Sequence, residues 1–188
     1  MFGDDLTAYL PEHIKPFSEQ LRQFPSGYEK WVYATSFPKE TYQGDVFSHV
    51  PLVAIDEAGE AVRAETNAMV LSCTCDVQLG QGETLLVAPV INLQDYISHS
   101  ELEGRQLDDH IESVTHNKLS AIMFLPKGAA IERSLVDFGK TSPISVEYFH
   151  LDRGQKRLAS LSQYGHYFLL VKLAYHFCRP DAPDAKRS

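Results

Sequence analysis

The residues best suited to chemistry lie where an apolar run stops. Ala68-Met-Val-Leu-Ser-Cys-Thr-Cys-Asp76 passes from a hydrophobic strand into two thiols and a carboxylate. Cys75 would act as a nucleophile if a base or cation lowered its thiol pKa. Asp76 beside it works in the opposite direction, and no Arg, Lys or His lies within ten residues on either side. A partner must come from elsewhere in the fold, with His49, His110 and His116 the candidates. The alternative is structural: Cys73 packs in the core and Asp76 holds the strand-to-loop turn through its side chain.

Two other constellations bear on chemistry. Cys73-x-Cys75 with His176-x-Cys178 is a Cys3His set of the kind that suits zinc. Its spacing is poor, because alternate strand residues point to opposite faces and helix residues two apart diverge. No metal or cofactor is therefore expected. Asp45 and Asp137 are carboxylates on strand segments; a nuclease cation needs such a pair, whereas each alone would bond nearby backbone N–H groups. The eight histidines form no ligand motif, and Gly80-Gln-Gly82 is a hairpin loop too short to cradle a phosphate.

Bulk composition narrows the class. The 188-residue chain is 44% hydrophobic and 22% charged, as an ordinary single globular domain is. Its longest apolar run, Tyr167-Phe-Leu-Leu-Val171, is too short to cross a bilayer. The acidic start, Met-Phe-Gly-Asp-Asp, is unlike a signal peptide, and three cysteines make no disulfide framework. A cytoplasmic location is expected, with no membrane contact. The net charge of −8 divides unevenly: residues 44–93 carry −6 and residues 151–188 carry +4. Nucleic acid would have to use the later cluster of Arg153, Lys156, Arg157, Lys172 and Arg179, which is equally a solvated helix face.

The elements that must position these groups follow from periodicity and turn chemistry. Ile14, Phe17, Leu21 and Phe24 predict a helix over 10–24, and Trp31-Val-Tyr33 a strand. Strands are expected at 45–55 and 61–65, joined by the turn Asp56-Glu-Ala-Gly59, then at 68–73 and 84–91. A helix over about 105–119 precedes strands at 121–125, 134–137 and 144–149. Ser160 or Ser162 starts a last helix, apolar nearly all round, that runs to about 177. The expected layout is residues 1–27 as an N-terminal helix, 28–150 as a barrel, 151–180 as the C-terminal helix and 181–188 as a tail.

Three phrases then align: Gly44-Asp-Val-Phe47, Ala68-Met-Val-Leu-Ser72 and Leu85-Leu-Val-Ala-Pro-Val90. Together they resemble the MazF/PemK/Kid-like toxins over about 50 residues. The resemblance implies an SH3-like barrel, commonly dimeric, that in many members cleaves single-stranded RNA. A wider likeness, to bacterial proteins of unassigned function, adds Thr74-Cys-Asp76, Val136-Asp-Phe138 and Arg157-Leu-Ala-Ser-Leu-Ser162. The toxins place an Arg before the second phrase and a hydroxyl after the third. This chain has Asn67 and Ile91-Asn92 there, which supply neither the cation nor the hydroxyl that stabilises a phosphorane-like transition state.

The expectation is thus an α+β chain on a MazF-type, SH3-like barrel with appended helices. It would act as a binding or regulatory component of a bacterial conflict or defence system, with Ser72, Thr74, Cys75, Asp76 and Asn92 at the barrel mouth. The alternative is a metal-independent endoribonuclease that pairs Asp76 with Arg133 or Arg157. A third reading is a subunit that docks on a protein partner through its C-terminal helix. Homodimerisation would favour the toxin-like readings.

Overall fold

In the computed structural model, the described residues are 31–36, 39–77, 82–150 and 155–177. The expected helix over 10–24, most of the loop before Gly82, Arg153, Cys178, Arg179 and the tail lie outside them. The structure is α+β. Among the described residues, seven strands form one antiparallel sheet, open at both ends, in the order β4 (Ile122–Leu125), β5 (Ser134–Asp137), β3 (Thr84–Asn92), β2 (Ala61–Val70), β1 (Val46–Ile55) and β7 (Arg157–Ala159), with β6 (Ser142–Ser145) beside β3.

The first hairpin follows from its turn residues. β1 (Val46–Ile55) and β2 (Ala61–Val70) pair from Val46↔Met69 to Ile55↔Ala61. Asp56 Oδ1 accepts from the N–H groups of Ala58 (2.9 Å) and Glu60 (2.8 Å), and Gly59 takes the left-handed conformation the turn needs (φ +82°). A register shift between Phe47 and Val50 holds exposed His49 at φ 55°. β2 is one strand, not the two expected. Thr66 and Asn67 stay in the ladder because Val50 and Val90 pair with them, and a filled ladder outweighs weak strand propensity. The strand ends at Val70, short of the expected Cys73. The N–H groups of Leu71 and Ser72 both reach the Leu86 carbonyl, and Thr74–Val77 forms a short helix, α1.

β3 (Thr84–Asn92) is the spine of the sheet. It pairs with β2 on one side; on the other, residues 84–87 meet β6 (Ser142–Ser145) and residues 90–92 meet β5 (Ser134–Asp137). A strand flanked and covered in this way reads as a continuous apolar run. Pro89 fits because Leu86 bonds towards β2, so alternation turns residue 89 to the other side. There it falls in the gap between β6 and β5, where no ladder hydrogen bond is lost.

Strand alternation divides the core in two. Val46, Met69, Ala88 and Val90 lie in a cluster with β4 (Ile122–Leu125), β5 and the last helix. Phe47, Ala68, Val70, Leu85, Val87, Ile144 and Val146 form a second cluster. Each fully buried aliphatic side chain contributes about 1.5–3 kcal/mol, so the hydrophobic phrases hold both faces.

The remaining elements surround this sheet. Asn92 caps the unexpected helix α2 (Leu93–Ser98), its Oδ1 accepting from the Gln94 N–H at 2.8 Å. α3 spans Gly104–Thr115, close to expectation. The strand expected over 144–149 is corrected: β6 stops at Ser145 and α4 (Val146–His150) follows, its Phe149 packing edge-on against Phe47 at 5.2 Å. The strand expected around Trp31 is only a single bridge, Tyr33↔Leu161. β7 (Arg157–Ala159) pairs with the start of β1. α5 (Gln163–Phe177) begins as expected, with Ser162 Oγ accepting from the Gly165 N–H at 3.1 Å. Phe168, Leu169 and Lys172 of α5 are buried, whereas Tyr167, Leu170 and Phe177 are exposed. No helix among the described residues is long and apolar enough to cross a membrane.

Candidate functional site

Two phrases far apart in the chain meet at the start of β1. Gly44-Asp-Val-Phe47 lies against Arg157-Leu-Ala-Ser-Leu-Ser162 through the pairs Val46↔Ala159 and Phe47↔Arg157. Gly44, at φ +90°, turns the chain into β1 while its N–H bonds the Val70 carbonyl at 2.8 Å. That left-handed φ favours glycine, and a Cβ there would also stand 2.6 Å from Leu161 Cδ1, so the leucine side chain would have to move.

This turn buries Asp45, which is only 1% exposed. Its Oδ2 accepts from the Tyr42 N–H at 2.9 Å and lies 3.3 Å from Arg157 Nε. Burial pushes the Asp45 pKa up, while the Ser160 hydroxyl, the Tyr42 N–H and the Arg157 charge act against it. Arg157 is itself held on several sides. Its Nη2 donates to the Glu40 carbonyl at 2.8 Å and approaches Thr41 Oγ1 at 3.5 Å, and its guanidinium lies 5.4 Å over the Phe47 ring. Asp45 Oδ1 is buried and has no well-formed hydrogen bond.

A cavity of about 230 Å³ opens beside this pair, lined among others by Tyr42, Asp45, Thr74, Ser160 and His166. Gln43 organises its wall. The Gln43 N–H donates to Thr74 Oγ1 at 3.2 Å and its side-chain amide donates to the Leu71 carbonyl. Its Oε1 therefore faces His166 Nε2 at 3.0 Å as an acceptor, which places the imidazole proton on Nε2 and leaves Nδ1 as an acceptor. Burial lowers the His166 pKa, so the neutral ring prevails at neutral pH.

The structure distributes the sequence-derived site residues over distant places. Thr74 lines the cavity. Ser72 Oγ accepts from the Leu86 N–H at 2.8 Å, near the beginning of β3. Asn92 caps α2 at the other end of that strand, about 20 Å away for six residues of strand. Arg133 is at Asn92's end, its carbonyl accepting from the Leu93 N–H and its guanidinium 5.5 Å over Phe124. The five expected mouth residues thus do not share one rim. Arg157, expected beside Asp76, pairs with Asp45 instead.

Cys75 is exposed, and its thiol pKa is raised, chiefly by the hydrogen bond its thiol makes to neighbouring Cys73 and by the Cys73 charge, with Asp76 a smaller contribution. That favours the unreactive thiol. The histidines proposed to activate it are engaged elsewhere: His49 with Glu65 (2.6 Å), His110 with the Tyr96 hydroxyl (2.8 Å) and His116 with the Glu112 carbonyl (2.8 Å). Asp137 bonds its own turn, its Oδ1 accepting from the Gly139 N–H at 3.0 Å. His176 packs against Phe138 and Phe177. Among the described residues no group of three His, Cys, Asp or Glu could hold a metal ion.

Comparison with models of protein families and with curated proteins finds no match to this chain. The site is therefore read from its own geometry. Sequence reasoning quoted Asp45 and Arg157 in separate phrases but did not join them; it offered Ser160 only as a helix cap and passed over Gln43 and His166. His166 carries a weak signal: it falls one helical turn after the Ser162 cap.

Proposed function

We propose that this chain is a binding or regulatory component, built on a strongly curved MazF-type, SH3-like barrel, of a bacterial conflict or defence system. The barrel reading draws support from β6, which runs beside β3 yet reaches back to β1, where the Val53 N–H donates to Ser142 Oγ at 3.1 Å. Strands β1, β2, β3 and β6 then wrap the second apolar cluster. The observation that carries the binding reading over the catalytic one is the engagement of Arg157. A guanidinium held by a buried carboxylate, a backbone carbonyl and an aromatic face is poorly placed to stabilise charge developing on phosphate.

Incubation with mixed-sequence single-stranded RNA, with and without divalent metal, tests this directly. Intact RNA is the expected result. Specific cleavage that is lost in both Asp76→Ala and Arg157→Ala would establish the endoribonuclease instead. A second reading, docking on a protein partner through α5, draws on the exposed Tyr167, Leu170 and Phe177. Under it the chain is monomeric and fast amide exchange is confined to α5, whereas the toxin-like reading expects a homodimer by light scattering.

A further inference from the structure

Two exposed thiols stand side by side where β2 gives way to α1. β2 stops at Val70 and α1 starts at Thr74, so Cys73 lies in irregular backbone between them. The divergence of side chains two residues apart in a regular strand or helix therefore does not govern Cys73 and Cys75. The Asp76 N–H donates to the Cys73 carbonyl at 2.9 Å, which folds 73–76 into one tight turn. Residues two apart in a helical turn have Cα atoms about 5.5 Å apart, inside the range of about 4.4–6.8 Å that a disulfide needs. The Cys75 thiol is hydrogen-bonded to Cys73, and both side chains are open to solutes. Among the described residues no third ligand completes a metal site with them. Thr74, between the two, ties this turn to the rest of the fold. Its Oγ1 accepts from the Gln43 N–H at 3.2 Å, and Gln43 Oε1 meets His166 Nε2 at 3.0 Å.

We propose that Cys73 and Cys75 form a reversible dithiol–disulfide site, oxidised by a small-molecule disulfide, whose closure draws Thr74 away from Gln43. One protein thiolate attacks a sulfur of the small disulfide, whose S–S bond breaks; a mixed disulfide forms and one thiolate leaves. The second protein thiolate attacks the protein sulfur of that bond and expels the other thiolate. Two electrons pass from the cysteine sulfurs to the oxidant, and its two thiolates take up the two cysteine protons. Hydrogen-bonded sulfurs sit well beyond the S–S bond length of about 2.05 Å, so closing the ring shifts the backbone of 73–75 and Thr74 with it. A disulfide in so small and exposed a ring is readily reduced again. The raised Cys75 pKa keeps that thiol protonated at neutral pH, so exchange quickens as pH rises. The proposal goes beyond the binding reading and stands whether the chain binds RNA, cuts it or ignores it.

The test treats the full chain carrying Cys178→Ser with excess glutathione disulfide at pH 7 and pH 9, and follows intact mass and 15N amide spectra. The expected product is a monomer lighter than the reduced chain by two hydrogens and free of glutathione. It should form at least about tenfold faster at pH 9, and reduced glutathione should restore the starting mass. Adding Cys73→Ser or Cys75→Ser should stop the reaction at a stable glutathione adduct. The parent chain should form the same bond, with glutathione at Cys178 at most, and so keeps the test decisive if Cys178→Ser does not fold. Oxidation should shift the amide signals of Gln43 and Thr74. Stable glutathione adducts with both Cys73 and Cys75 present, no reaction even at pH 9, or a bond between two chains would overturn the site. An oxidised chain with the Gln43 amide unmoved would overturn its coupling to Thr74.

Discussion

The ammonium of Lys172, on α5, lies 3.3 Å from the main-chain carbonyl of Asn117, inside the protein. It also donates to the Leu119 carbonyl, and so closes the segment that leaves α3. Asn117 holds the left-handed conformation (φ 54°), and its Oδ1 accepts from the Phe124 N–H at 2.7 Å. One lysine thus ties the last helix to the chain entering β4.

Stability should rise with pH because of this lysine. Burial pushes its pKa from the ordinary 10.5 down to about 7. Between those values the unfolded chain binds the proton and the folded chain does not, so unfolding becomes harder as pH increases. Urea unfolding at pH 7 and pH 9 should show a gain of up to about 3 kcal/mol, and Lys172→Met should flatten it. Measurements above pH 10 would mix in Tyr33, whose raised pKa has the opposite sign. A wild-type profile identical to that of Lys172→Met would refute the assignment.

The Asp45–Arg157 pair predicts a large and non-additive loss. Arg157→Met leaves a buried carboxylate without its cation and should cost about 3–5 kcal/mol by denaturant unfolding. The Asp45→Asn/Arg157→Met double variant should cost less than the sum of the singles. Strict additivity would mean that the two groups do not interact.

Gly44→Ala should destabilise by about 1–3 kcal/mol, because it adds a left-handed alanine to a clash with Leu161. Adding Leu161→Ala relieves the clash but not the backbone strain. Thermal unfolding should therefore show partial rescue, after allowance for the cost of Leu161→Ala alone.

Asn92→Ala separates a cap from a rim. It should cost about 1 kcal/mol by denaturant unfolding through lost capping of α2. Unchanged stability would mean that the cap contributes nothing and would return Asn92 to the rim reading.

Cys75 should react slowly with iodoacetamide at pH 7 although it is exposed. Cys73→Ser should quicken it, since Cys73 is the main cause of the raised thiol pKa. Rapid labelling of the parent chain at neutral pH would reverse this view of the site.

Local physics made much of the fold legible from the sequence alone. The Asp56–Gly59 turn, the buried β3 run, the Ser162 cap and the length of α5 each depend on residues within a turn or two of one another. Short-range sterics and hydrogen bonding determine such features whatever the rest of the chain does. The α+β class followed from their order. The partner of Arg157 did not, because it depends on β7 pairing with the start of β1, a contact between distant segments that no local pattern encodes. The continuity of β2, the turn of 146–150 into a helix and the parting of Ser72 from Asn92 are likewise consequences of which strands flank β2 and β3. Residue types named the groups capable of chemistry; only long-range strand pairing decided that Asp45, Gln43 and His166 would share a cavity and that Cys75 and Arg133 would stand apart from it.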